Sequence, residues 1–178
     1  ATRLAVTAAY FSAFVGLGLV VAAPGGCLLA MAERTGSAVD AMGALFTVRA
    51  VGYLLGTVAS GGLIDRLPRR GNRVLAAAVA AAAVCTAAVP AAAALPALAA
   101  LVSVQGVAMG CLDTGGNVQL IRLWGSARVH PWMHGLHFSF SAGAFAAPLV
   151  LRGVMAGGTD YGAAFVGFGA FLAAVACA

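Results

Sequence analysis

Residues 61–89 read Gly61-Gly62-Leu63-Ile64-Asp65-Arg66-Leu67-Pro68-Arg69-Arg70-Gly71-Asn72-Arg73, followed by VLAAAVAAAAVCTAAV from Val74 to Val89. A turn dense in arginine gives way to a stretch with no charge at all. Such a stretch has no polar face to turn toward water, so it reads as a helix surrounded by apolar groups or by lipid. The rest of the chain decides between these. Of its 178 residues, 62% are hydrophobic and only 8% charged, whereas a soluble domain carries about 25% charged residues. A water-facing globule is excluded. At about 20 apolar residues per spanning helix, the length holds roughly six spans with short connections and leaves no room for a sizeable extramembrane domain. The predicted fold class is all-α membrane.

Outward from that stretch, the spans fall at about 4–29, 41–64, 74–89, 95–121, 131–151 and 161–178. The first exceeds the 7–15 apolar residues of a signal-peptide core, so it is a retained span. Its Pro24-Gly25-Gly26 predicts a kink or a break, and Glu33 to Asp40 is a polar link. Gly52 and Gly56, four apart in the second span, allow a neighbouring backbone to come close. Pro90 and Pro96 mark an uncharged turn, and Pro131 suits a first helical turn. Cys27, Cys85, Cys111 and Cys177 all sit in apolar stretches with no CxxC pair, as small packing residues do. The chain has no initiator methionine and stops while still apolar, so a second half is expected beyond it.

The net charge of +5 comes from ten arginines, without lysine, against five acids. With six spans, one side holds Arg3, Arg66, Arg69, Arg70, Arg73, Arg122 and Arg128, and the other only Arg34 and Arg152. The positive-inside rule accounts for this asymmetry, places the N-terminus in the cytoplasm and removes the need for a nucleic-acid partner. Arg49 lies within the second span and needs a partner or a water-filled cavity.

The fourth span carries Gln105, Asp113 and Asn117. At about 100° per residue, Asn117 lies about 40° from Asp113 and Gln105 about 80° from it, so the three share one face. A carboxylate this deep faces a cavity or a partner, and amides beside it both donate and accept hydrogen bonds, a chemistry suited to hydroxyl-rich solutes. The plainer reading is an aspartate and an asparagine pairing across the bundle. Asp113 is also the one acid deep enough to meet Arg49, although the two lie on opposite sides of the midplane. His137 lies at a depth similar to that of Asp113, and the two are expected to face one cavity with Asn117 beside them.

His130, His134 and His137 are spaced four and three apart. No cysteine or carboxylate nearby completes a coordination set, and His130 precedes Pro131, which disfavours helix there. Neither a metal site nor a cofactor is expected. A six-helix intramembrane serine protease would need glycine two residues before the serine, but Val58-Ala59 precedes Ser60-Gly61. No enzyme is expected.

The run from Gly61 to Arg70 resembles the cytoplasmic signature of the major facilitator superfamily: glycine, three residues, aspartate, a basic residue, any residue, glycine and two basic residues. Pro68 stands where the last glycine is usual. In this reading Gly61, Asp65, Arg66, Arg69 and Arg70 form a gate, with Asp65 holding neighbouring helix ends by charge-assisted bonds in one transport state only.

Gly110-Cys111-Leu112-Asp113-Thr114-Gly115-Gly116-Asn117 is similar to the fourth-helix motif of the fucose permease family and closer to its sodium-dependent glucose transporter branch, which follows it with Trp-Gly, here Trp124-Gly125. The fifth-span stretch Leu136-His137-Phe138-Ser139-Phe140 continues the likeness. Val20, Val102 and Phe140 stand where fucose permeases or proton-coupled members carry an acid, an arginine and an asparagine, which argues against simple proton-coupled fucose transport.

The resemblance implies the N-terminal six-helix half of a twelve-helix secondary transporter in the plasma membrane. It would move a glucose-like monosaccharide by alternating access, coupled to sodium, with a C-terminal six-helix half and the lipid bilayer as partners. Gln105, Asp113, Asn117, His137 and Arg49 are the expected sugar-binding residues. A proton-coupled sugar symporter of the fucose permease type and a non-transporting membrane sensor or scaffold are the alternatives.

Overall fold

The computed structural model describes residues 2–177. Six helices follow one another: α1 (Arg3–Thr35), α2 (Val39–Arg66), α3 (Gly71–Ala88), α4 (Leu95–Trp124), α5 (His130–Ala156) and α6 (Gly162–Ala176), with single 3-10 turns at Pro68–Arg70 and Val89–Ala91. The first five are long and apolar enough to cross a membrane, and α6 is a shorter apolar helix of 15 residues. No strand occurs among the described residues. This is the expected all-α membrane architecture.

Local chemistry explains where the helices start and stop. Thr2 caps α1 by accepting a hydrogen bond from the Ala5 amide, and Gly36 ends it in the left-handed conformation at φ 60°, with the Ser37 amide closing back on the Ala32 carbonyl. The expected polar link from Glu33 to Asp40 therefore shrinks, because Glu33 completes the last turn of α1 and Asp40 lies in the first turn of α2. Pro24 bends α1 without ending it: its ring removes one helical amide, and Cys27 leaves helical geometry at φ −135°, ψ 19° before the helix resumes.

The starts of α1, α3 and α5 and the ends of α2, α4 and α6 gather at one end of the bundle, which holds most of the arginines. At the opposite end, Arg34 on α1 donates to the Pro90 carbonyl and to Asp160, and its guanidinium lies over the Tyr161 ring at 5.2 Å. That arginine ties together three loops or helix ends.

Packing is paired. The most extensive contacts join α2 to α4 and α1 to α5, followed by α3 to α6 and α3 to α4. Exchanging α1 with α4, α2 with α5 and α3 with α6 maps the first two pairs onto each other, as expected of an internal repeat. Both pairs use the same device. A Cβ on Gly52 or Gly56 of α2 would collide with the backbone of α4 at Ser103 or Val107, and one on Gly106 or Gly110 of α4 would collide with the backbone of α2 at Arg49 or Tyr53. Gly18 of α1 and Gly143 of α5 meet the facing backbone in the same way, at Phe140 and Val15. Small residues let backbones touch where lipid gives no hydrophobic drive to associate.

One apolar core, around Met31, Met42, Leu98 and Phe165, fills the arginine-poor end. A second, around Phe14, Leu75, Met109 and Leu136, fills the other. α2 and α5 bury the least of their surface and present Leu54, Leu55, Val58, Phe138 and Phe145 outward.

Replacing Gly106 with leucine is expected to force α2 from α4 and to destabilise the protein by about 1–3 kcal/mol. Gly167→Leu, where the added side chain meets open space, should be close to neutral. Thermal unfolding in detergent compares the two.

Candidate functional site

Four helices line an open cavity of about 530 Å³. Phe14, Leu17 and Val21 of α1 line it, as do Phe46, Arg49 and Tyr53 of α2, Met109 and Asp113 of α4, and His137 and Phe140 of α5. Each set recurs every three or four residues, so each helix gives one stripe to the cavity. The walls are apolar, and the polar groups among them are few and convergent, the usual composition of a small-molecule site.

Asp113 is the centre of these polar groups. Its side chain is half-buried. The Tyr53 hydroxyl donates to its Oδ2 at 2.5 Å, and the Asn117 amide donates to its Oδ1 at 3.3 Å and to its backbone carbonyl at 2.8 Å. Each carboxylate oxygen thus has one donor and keeps acceptor capacity for another. The glycine contacts explain the register. Gly106 and Gly110 press on α2 at Arg49 and Tyr53, and Asp113 follows Gly110 by three residues, on the same side of α4. The Tyr53 ring therefore reaches it.

Arg49 does not pair with Asp113. Its Nη1 donates to the Val21 carbonyl of α1 at 3.3 Å, and its guanidinium lies over the Phe46 ring at 5.4 Å. A helix carbonyl and an aromatic face satisfy the half-buried cation without a carboxylate. His137 is exposed to the cavity, with its ring edge-on to Phe14 at 6.4 Å between centroids.

Asp113, His137 and Arg49 are thus brought to one cavity. Asn117 is turned onto Asp113 and lies outside the lining. Gln105 is turned away: it is 1% exposed, and its Nε2 donates at 3.0 Å to the Thr86 hydroxyl of α3. The 80° offset from Asp113 is enough to carry it around to the α3 side of α4. Its Oε1 has no hydrogen-bond partner among the described residues, and the small space it lines is also bordered by Arg49 and Phe46. His130 and His134 are exposed outside the cavity, and no metal-binding cluster occurs among the described residues.

At the arginine-rich end, Asp65 pairs with Arg122 of α4 at 3.4 Å, not with an arginine of its own turn. Arg122 also donates to the Ile64 carbonyl at 3.4 Å and to Gln119 Oε1 at 3.1 Å. Gln119 Nε2 and the Tyr10 hydroxyl both donate to Asn72 Oδ1, at 2.8 and 2.7 Å. The result is one network across the ends of all of α1 to α4. Arg66, Arg69 and Arg70 are exposed and form no ion pair among the described residues, and a side chain on Gly61 would meet open space. The Trp124-Gly125 pair is structural. The Trp124 indole donates to the Thr7 hydroxyl at 2.9 Å and stacks on Trp132 at 4.2 Å, while Gly125 turns at φ 75°.

Sequence reasoning missed Tyr53, Arg122, Gln119 and Asn72. Tyr53 had a usable signal, four residues after Arg49 on the same helical stripe; the other three depend on which helix ends meet.

The chain is 37% identical over 79% of its length to sodium-dependent glucose transporter 1 of Homo sapiens, covering 27% of that protein. It is 36% identical over 80% of its length to sodium-dependent glucose transporter 1A of Mus musculus, covering 33%. It is 30% identical over 83% of its length to major facilitator superfamily domain-containing protein 4A of Mus musculus, covering 29%. The chain therefore spans a third or less of the length of these relatives. No protein-family model and no solved structure matches it.

In a background free of native cysteines, cysteine placed at Arg49, Asp113 or His137 is expected to react with a small water-soluble thiol reagent. Cysteine at Gln105 should stay unreactive. Labelling rates in membrane vesicles measure the contrast.

Proposed function

We propose, for an integral membrane chain that belongs to the sugar-transporter-like group of the major facilitator superfamily, that it is the N-terminal half of a carrier moving a glucose-like monosaccharide by alternating access. The observation that carries this reading is the cavity itself, where one half-buried carboxylate with spare acceptor capacity sits among aromatic and apolar walls. A sugar offers hydroxyl donors around its rim and C–H faces above and below. Asp113 accepts from the hydroxyls, His137 and Arg49 supply donors, and Phe14 and Phe140 cover a ring face. Asn117 and Tyr53 hold the carboxylate in place. Gln105 stands behind Arg49, as a second acceptor for the guanidinium when it leaves the Val21 carbonyl.

Alternating access needs a second body to close the cavity, and a C-terminal six-helix half against α2 and α5 supplies it, covering their outward Leu54, Leu55, Phe138 and Phe145. Gly61, Asp65, Arg66, Arg69 and Arg70 belong to the gate at the arginine-rich end, where the Asp65–Arg122 pair is made in one state and released in the other. By the arginine count this end is cytoplasmic, with the N-terminus on that side, and the plasma membrane is proposed from the resemblance alone.

Sodium coupling is proposed from the likeness to sodium-dependent glucose transporters. Proton coupling is the second reading, resting on the carboxylate of Asp113 that lines the cavity.

Radiolabelled glucose uptake by the full-length protein in proteoliposomes is expected to rise with an inward sodium gradient. Asp113→Asn combined with His137→Ala should lower it by at least about tenfold, as expected from losing a hydrogen bond to a charged group. Stimulation by a proton gradient alone favours the second reading. Uptake retained in the double variant, or no sugar binding in a correctly inserted protein, rejects the proposed site.

A further inference from the structure

On the flank away from α2 and α5 lies a second sizeable cavity, a groove of about 370 Å³ between α1, α3 and α6. It is apart from the sugar cavity and meets the Asp65–Arg122 network only through Asn72, by way of Gln119. Its walls are small and apolar, with Ala5, Ala9, Ala76 and Val79 among them. From Ala5 to Ala13 it follows α1 for about 12 Å at 1.5 Å per residue. Its mouth is different. Arg73 and Asn72 line it at the arginine-rich end, both exposed.

The mouth lacks counter-charge. Among the described residues no carboxylate lines the groove and Arg73 forms no ion pair, since the two pairs present use Arg34 and Arg122. Asp65, the acid at this end, is taken by Arg122. Asn72 accepts two hydrogen bonds on Oδ1, from Tyr10 and Gln119, which fixes its side chain and leaves its amide NH₂ without a protein acceptor among the described residues. The groove thus offers a guanidinium and an oriented amide, both donors, above a narrow apolar slot.

We propose that this groove binds one anionic glycerophospholipid, with its phosphate on Arg73 and Asn72 and part of one acyl chain in the slot. An inorganic phosphate would use the mouth and leave the slot idle; a neutral lipid would use the slot and leave the donors short of negative charge. Basic pockets between spanning helices on the cytoplasmic side recognise anionic headgroups in this way. The binding is independent of the sugar reading, because no group of the sugar cavity takes part.

The test is native mass spectrometry of the full-length protein released from vesicles of equal phosphatidylglycerol and phosphatidylcholine. One phosphatidylglycerol should be retained in preference. Arg73→Gln should weaken that retention about fivefold, the effect of one arginine near an anionic surface, and added salt should weaken it further. Ala76→Phe, which fills the slot, should reduce retention of both lipids, and Ala9→Phe does the same from the opposite wall should the first variant fail to insert. Equal retention of the two lipids, retention unchanged in Arg73→Gln or in the slot-filling variants, or retention of neither because polypeptide following Cys177 occupies the groove, overturns the proposal.

Discussion

The register between α2 and α4 is the constraint on which the site depends. Gly106 and Gly110 bring the α4 backbone against α2 at Arg49 and Tyr53, and Gly52 and Gly56 return the contact at Ser103 and Val107. Two helices locked backbone to backbone cannot slide by a residue without driving a Cβ into a carbonyl. The lock therefore fixes which side chains meet further along the same stripe, and those are Tyr53 and Asp113. A carboxylate within a span is expensive unless it is held and hydrated. Here one neighbouring helix holds it, and the cavity keeps it half-exposed.

The α1–α5 pair repeats the device through Gly18 and Gly143 and delivers Phe14 and His137 to the opposite wall. The cavity is thus bounded by two glycine-locked pairs, while α3 and α6 lie behind them. Rigid pairs of this kind would suit the proposed carrier, in which closure would fall on the boundary to a second half and on breakable contacts at the ends. The Asp65–Arg122 pair is exposed and long at 3.4 Å, a weak tie of the kind that the proposed gate requires.

Much of this was legible in the sequence, and the rest had physical reasons for being hidden. Uncharged runs such as Val74–Val89 set the class and the helix order because lipid accepts little else. Asp113 as the acid deep within a span, and His137 at its depth, follow from counting residues along helices. Pro24 announced a kink or a break within a span running to about residue 29; the structure has the kink, and α1 continues to Thr35. Gln105 shows the limit of a helical wheel, where an 80° offset separates a cavity wall from a contact with Thr86 on α3. Tyr53 and Arg122 act on partners in other helices, and only the glycine register and the meeting of helix ends determine those partners. The glycines of α2 were read as a close-approach surface; that α4 carries the matching pair becomes evident once both backbones are placed.

Equilibrium binding of labelled glucose to the full-length protein, compared across Tyr53→Phe, Asp113→Asn and the double variant, tests the central claim most directly. If Tyr53 acts through the carboxylate it orients, each single change weakens binding and the double variant binds no worse than Asp113→Asn alone, a strongly non-additive cycle. Additive losses, or full binding in Asp113→Asn, would contradict the account.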